Sequence, residues 1–135
     1  MALKALEGVQ EIGGFKLIVM DELKEKYPEK FNDGGGMDWK WFEAEIRPEN
    51  FIYLRKDKNS LSFTIQNGPI KEVGVNGCQV ETMARAVVAI YEGLQKEFPC
   101  EENKLTIAHF KKGLQYQEQR TADREKRGVE GFNKE

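Results

Sequence analysis

Hydrophobic residues in the C-terminal half recur at the spacing of α-helices. Over residues 79–97 the apolar positions fall on one side of a helix: Val80, Met83, Ala84, Val87, Val88, Tyr91 and Leu94. Pro99 predicts the end of this helix, and a second helix is expected to begin near Glu101, with Gly128 as a suitable C-cap. Because only a few residues separate them, the two helices are expected to pack antiparallel.

The middle of the chain has a β-type pattern instead. Strands are predicted at residues 39–46, 51–56 and 60–66, and in the last of these apolar and polar residues alternate. "DKN" at 57–59 predicts a hairpin turn, and a further short strand is expected at 70–73 between turn signals. This region is therefore predicted to form a small antiparallel sheet.

The N-terminal region is harder to assign from its pattern. Residues 15–27 have near-helical spacing and favour a helix, with a strand at 15–19 as the rival assignment. Three consecutive glycines in "NDGGGMD" at 32–38 predict a loop, since glycine loses much backbone entropy inside an element. The predicted α+β protein is a single domain, 1–135. It comprises a helical extension with the glycine loop at 1–36, a β-sheet at 37–77 and a two-helix antiparallel hairpin at 78–131.

Composition excludes several classes of function. The net charge of −2 gives no field over the whole molecule that would attract DNA or anionic lipid. Cys78 and Cys100 are isolated thiols and His109 is the single histidine, so we expect no zinc, no other metal and a reducing cytosol. The longest apolar run, at 17–20, is too short to span a membrane, and no signal peptide is recognised.

Two arginines four residues apart, Arg120 and Arg124, are the main candidate for binding chemistry. On a helix they emerge from one face about one turn apart and could hold two anionic groups. The alternative is a solvated face on which Asp123 pairs with Arg120 and Arg127, or a protein interface. In either case, replacing both arginines is expected to leave the melting temperature nearly unchanged, because exposed ion pairs contribute about 0–1 kcal/mol.

Evidence for other chemistry is weaker. No Cys/His or Ser/His/Asp arrangement with catalytic spacing is found, so we do not expect an enzyme. Trp39 and Trp41 could pack in the core or a dimer interface, or could form a base-stacking platform.

Three sequence segments resemble a known family. "IQNGPIKEVGVNG" at 65–77, "CEEN" at 100–103 and "RTADREKRGVEG" at 120–131 are similar, in this order, to the first Thoeris anti-defence family of phage proteins. The resemblance covers roughly residues 60–131, and its second half is also similar to phage sponges that act against CBASS signalling. Glu101 stands where the pattern has an arginine, which weakens any phosphate pocket that this position would serve.

The resemblance implies a sponge that traps its ligand without cleaving it. That ligand would be glycocyclic ADP-ribose, with cyclic di- and trinucleotides also reported for the group, and no cofactor is implied. The ligand-binding residues would be Asn103, Arg120 and Arg124, with an aromatic contact at Tyr91 or at the position of Leu94.

The same resemblance implies a homo-oligomer in the bacterial host cytoplasm, without nucleic-acid or membrane partners. It would be at least a dimer, with a hexamer built as a trimer of dimers as the larger assembly. The alternative function is a phage regulatory or assembly protein. Its basic helix end, near Arg120, Arg124 and Arg127, would bind nucleic acid or a protein partner.

Overall fold

A four-stranded sheet organises the N-terminal half of the chain. The computed structural model describes residues 2–34, 36–46 and 51–133. The strands lie in the order β1-β2-β3-β4 and have these bounds: β1 Glu11–Ile12, β2 Phe15–Val19, β3 Phe51–Arg55 and β4 Ser60–Ser62. The predicted hairpin between β3 and β4 is confirmed, with Asn59 in the left-handed region at φ 51°.

The sheet is mixed, so the prediction of a purely antiparallel sheet is wrong. β1 pairs with β2 and β3 pairs with β4 in antiparallel fashion, but β2 and β3 are parallel, with Leu17 beside Ile52 and Val19 beside Leu54. Parallel neighbours need a crossover connection, and here the chain passes through helical segments between β2 and β3. The strand at 15–19, which was the rival to the favoured helix over 15–27, is the assignment that the structure has.

Helical elements account for most of the remaining chain. The α-helices are α1 Met20–Lys26, α2 Trp39–Trp41, α3 Ile70–Val73, α4 Val80–Glu97 and α5 Glu101–Lys126. Two 3₁₀ turns, Ala2–Leu6 and Pro28–Lys30, and a π-helical turn, Phe42–Ile46, complete the described elements. The two long C-terminal helices agree with the predicted bounds to within a residue or two.

The strand predicted at 60–66 ends already at Ser62, and three other local predictions need correction. Residues 15–19 form β2, and only the part from Met20 is helical. Residues 39–46 are helical, because the Asp38 side chain accepts a hydrogen bond from the Trp41 N–H at 3.1 Å and caps α2. Residues 70–73 form the short helix α3, which begins after Pro69 and ends at Gly74, whose φ is 78°.

The core lies between the sheet and α4. Its buried members are Leu6, Ile12, Leu17, Ile52, Leu54 and Ala86. Since side chains alternate along a strand, Ile52 and Leu54 face α4 while Phe51 and Tyr53 face the other side of the sheet. There the fully buried ring of Phe42 packs on both, with centroids 5.5 and 5.7 Å away. Helical segments therefore cover both faces of the sheet.

α4 is fixed against its neighbours on two sides. A Cβ atom at Gly93 would overlap the side chain of Ala5, so this glycine permits the close approach of the N-terminal 3₁₀ turn. On the other side, α5 is joined to α4 by ion pairs between Arg85 and Glu118 at 3.2 Å and between Glu92 and Lys111 at 2.6 Å. Positions later in α4 thus contact positions earlier in α5.

Candidate functional site

The candidate arginines lie where α5 ends in a left-handed turn. Gly128 has φ 71°, its N–H donates to the carbonyl of Glu125 at 3.0 Å, and the Val129 N–H donates to the carbonyl of Arg124 at 3.0 Å. These two bonds form a Schellman motif, which satisfies carbonyls that the helix end would otherwise leave unpaired. The prediction of Gly128 as a C-cap is confirmed.

Arg124 is buried under this turn. Its Nε donates to the Glu130 carboxylate at 3.1 Å, and its Nη2 donates to the carbonyls of Val129 and Phe132 at 3.0 and 2.8 Å. The residue is 8% exposed, which is rare for an arginine unless it is paired. Arg124 therefore holds the chain that follows α5, a role that helical spacing alone could not reveal.

Arg120 has a different environment one turn earlier. Its side chain is exposed, and it makes no hydrogen bond or ion pair with any residue that the structure describes. The predicted pairing of Asp123 with Arg127 is present, at 3.0 Å. Asp123 is thus committed to Arg127, and Arg120 presents its guanidinium to solvent.

The loop before α4 reaches the same end of the molecule. The Lys71 N–H donates to the Gly131 carbonyl at 2.8 Å, which joins α3 to the segment held by Arg124. Within the loop, Gln66 donates to the Gly74 carbonyl at 2.8 Å and accepts from the Asn76 N–H at 2.9 Å. The first and third segments of the family resemblance are therefore adjacent in space.

An open groove lies between α4 and α5, and Arg120 is outside its lining, one helical turn beyond Gln117. Its volume is about 450 Å³, within the roughly 300–1,000 Å³ usual for ligand pockets. It is lined by residues of both helices: Val80, Glu81, Ala84, His109, Phe110, Gly113, Leu114 and Gln117. Gln117 and Arg120 are neighbours on the α5 surface, so the cation stands near one end of the groove. Val80 and Ala84 were not predicted as lining residues, because their helical spacing indicates only packing.

Asn103 lies at the opposite end of α5. Its N–H donates to the Cys100 Sγ at 3.4 Å, which caps the first turn of the helix, and its side chain is partly buried. At ~1.5 Å per helical residue, its Cα atom is about 25 Å from that of Arg120. One protomer does not bring these two predicted residues together.

Tyr91 lies on α4 opposite the middle of α5. Its ring is 6.0 Å from that of Phe110, tilted by 30°, and it is partly buried, as is the alternative residue Leu94. Within one chain, Tyr91 is therefore separated along the helices from both Asn103 and Arg120. The four predicted ligand residues occupy three separate places on the helical pair.

Comparison with known proteins supports the family resemblance. No protein-family model matches the chain. Over 67 residues it is 40% identical to "Thoeris anti-defense 1" of Bacillus phage SBSphiJ7, which covers 49% of this chain and 47% of that protein. The match spans about half the length of this curated relative. The chain thus resembles the first Thoeris anti-defence family. None of the described helices is long and apolar enough to span a membrane.

Proposed function

We propose that this chain is a phage anti-defence protein that sequesters a cyclic nucleotide immune signal without cleaving it. The relative named for Thoeris anti-defence supports the biological role. The site of action would be the cytoplasm of the infected bacterium, and the favoured ligand is glycocyclic ADP-ribose. This ligand class combines two phosphates with nucleoside rings, so its site needs cations next to an apolar surface.

The observation that carries the proposal is the exposed Arg120, which lies one helical turn beyond Gln117 at the end of the α4–α5 groove. A planar guanidinium forms strong, charge-assisted hydrogen bonds with phosphate. Arg120 would bind one phosphate, and Arg124 would bind the second by exchanging the Glu130 carboxylate, which its Nε holds at 3.1 Å, for the phosphate. The apolar side chains of Phe110 and Leu114 in the groove would contact a nucleoside ring.

Asn103 would reach the ligand only from a second copy of the chain, whereas Tyr91 packs on Phe110 of the same groove. A two-fold dimer in which the helical pairs lie antiparallel places the Asn103 end of one protomer at the Arg120 end of the other. Each of the two equivalent sites would then contain residues from both chains. The proposed homodimer follows from the distance of about 25 Å along α5.

The first experiment tests sequestration directly. Purified protein is mixed with glycocyclic ADP-ribose, separated by filtration, and heated to release any bound ligand for mass spectrometry. The expected result is stoichiometric depletion followed by recovery of intact ligand. Product in excess of protein would show turnover and contradict the proposal.

Charge removal tests the site. Arg120→Ala should weaken binding about tenfold or more, because a hydrogen bond to a charged group contributes about 1.5–3 kcal/mol. Arg127→Ala is the matched control, since Arg127 is exposed on the same helix end but pairs with Asp123. Equal losses in the two variants would favour a diffuse charge effect over a defined contact.

A mixing experiment tests whether the site is shared. Asn103→Ala and Arg120→Ala chains should each bind poorly, whereas a mixture that exchanges subunits should recover binding, because hetero-dimers carry one intact site. A monomer that binds at full strength, or no recovery despite exchange, would separate Asn103 from the Arg120 site.

Salt dependence distinguishes the alternative function. Nucleic-acid binding by several cations should weaken steeply between about 50 and 200 mM salt. Capture of a small ligand through one or two phosphates in a partly enclosed site should change much less over that range.

A further inference from the structure

A second cavity lies on the other side of the sheet from α4. Its volume is about 220 Å³, and its walls come from α1, from the turn that precedes α2, and from β3 and β4. Residues of these segments that line it include Met20, Lys24, Trp39, Tyr53, Arg55 and Ser62. It contains none of Tyr91, Asn103, Arg120 or Arg124, so it is independent of the site proposed above.

One wall of this cavity is an aromatic surface held in a defined orientation. The Trp39 ring packs edge-on against Tyr53, with centroids 6.0 Å apart and planes 84° apart, and against Phe42 at 5.7 Å and 78°. Trp39 is nevertheless 55% exposed. A large aromatic ring that is fixed by two neighbours yet open to solvent loses little conformational freedom when a second ring packs on it.

A hydrogen-bonded turn contributes another part of the lining. The Asn32 N–H donates to the Gly36 carbonyl at 2.8 Å, and the Asn32 side-chain oxygen accepts from the Gly36 N–H at 2.7 Å. A β-bridge between Phe31 and Met37 closes this turn. The described part of the glycine-rich segment is thus shaped around the cavity, a role the sequence pattern did not indicate.

The polar groups of the cavity balance in charge. Arg55 pairs with Asp57 at 3.4 Å, and the Asp21 carboxylate accepts a hydrogen bond from the Lys56 N–H at 2.7 Å. Desolvation alone would raise the pKa of Asp57, but the hydrogen bond and charge of Arg55 lower it overall, so the carboxylate is ionised at neutral pH. With Lys24 included, two acids face two bases, which gives donors and acceptors but no net attraction for an anion.

We infer that this cavity binds a single planar heteroaromatic ring of the nucleobase class. The aromatic wall provides stacking, and the mixed rim can both donate to and accept from the ring edge. The volume lies below the roughly 300–1,000 Å³ of pockets for larger ligands, so the cavity has room for one ring rather than for a whole dinucleotide. The ring is a free base, a nucleoside, or the base of a larger molecule that extends into solvent.

The test uses adenine as the probe, with the intrinsic fluorescence of one tryptophan as the readout. The chain has two tryptophans, and Trp41 packs on Tyr27 outside the cavity lining. In a Trp41→Phe chain, Trp39 alone emits, and millimolar adenine should quench its emission in a saturable way. Cytosine, uracil and hypoxanthine are titrated in parallel to rank the bases.

Ligand-observed NMR on paired variants locates the site. Trp39→Leu should weaken adenine binding about tenfold, as expected for loss of a base-stacking aromatic, while the matched control Trp41→Leu should change it less than about twofold. Ser62→Phe, which fills the cavity from an exposed strand position, should abolish binding and keeps the test valid if Trp39→Leu fails to fold. Failure of all four bases to bind at millimolar concentration, or equal effects of the two tryptophan variants, would overturn the inference. A failure to capture glycocyclic ADP-ribose would contradict the proposed function but not this inference, because the two sites share no residues.

Discussion

Replacement of Arg124 should destabilise the fold, whereas replacement of Arg120 should not. The two residues have the same chemistry and lie one turn apart on α5, but Arg124 is 8% exposed and Arg120 is exposed. Arg124→Ala removes an ion pair with Glu130 and hydrogen bonds to the carbonyls of Val129 and Phe132. The expectation that both variants leave the melting temperature unchanged assumed exposed ion pairs. That assumption does not hold for Arg124, because its side chain is buried.

The size of the effect follows from those bonds. Each hydrogen bond of a charged group contributes about 1.5–3 kcal/mol, but the terms are not additive and water can replace part of the lost partner. The Glu130 side chain is 37% exposed, so its carboxylate is readily solvated after the change. We therefore expect a total loss of about 2–3 kcal/mol for Arg124→Ala, against less than about 0.5 kcal/mol for Arg120→Ala.

The assay is urea denaturation followed by circular dichroism, with a thermal melt as a second measurement. For a domain of this size the loss corresponds to a fall in melting temperature of roughly 5–15 °C. All variants are compared at one protein concentration, because self-association adds concentration-dependent stability. Arg124→Lys should fall between wild type and Arg124→Ala, since an ammonium keeps the charge but lacks the planar fork. Free energies of unfolding for Arg124→Ala and Arg120→Ala within about 0.5 kcal/mol of each other would refute the reasoning.

Two glycines and two cysteines give further predictions. Gly93→Ala should destabilise the protein by about 1–3 kcal/mol, since its Cβ would overlap Ala5. Gly113→Ala should stabilise it by up to about 1 kcal/mol, because nothing lies within 4 Å of the new Cβ. Melting temperatures that change in opposite directions would confirm the two predictions, and changes in the same direction would contradict them. Iodoacetamide should modify the exposed Cys100 in the folded chain and the buried Cys78 only after denaturation. Burial raises the pKa of Cys78, so the folded chain holds the thiol proton more tightly than the unfolded chain. The free energy of unfolding should therefore fall as pH rises above the thiol's ordinary pKa of 9.0. A Cys78→Ala chain that shows the same fall would rule out this cause.

Local sequence signals were sufficient for the C-terminal helices and for one hairpin. The apolar spacing of α4, the proline between the helices and the left-handed Gly128 are short-range features that fix helix bounds wherever the helix packs. The turn between β3 and β4 is equally local. These elements agree with their predictions because the local backbone preferences and the apolar spacing both favour the structure that is observed.

Tertiary contacts decided the assignments that local pattern left ambiguous or missed. Residues 15–19 satisfy either a helix or a strand, and pairing with β3 selects the strand. The aromatic segment 39–46 has β-type composition, yet the Asp38 cap and the burial of Phe42 make it helical. Such outcomes depend on partners distant in sequence, which a window of neighbouring residues does not contain.

The residue types at the end of α5 are evident from the sequence, but the different roles of Arg120 and Arg124 follow from the fold. A spacing of four residues placed Arg120 and Arg124 about one turn apart, as predicted, but gave them equal roles. The turn at Gly128 brings Glu130 and the carbonyl of Phe132 back over Arg124 and leaves Arg120 in solvent. The burial of these two identical side chains differs because it depends on the course of the chain after the helix ends. The periodicity within the helix does not predict that course.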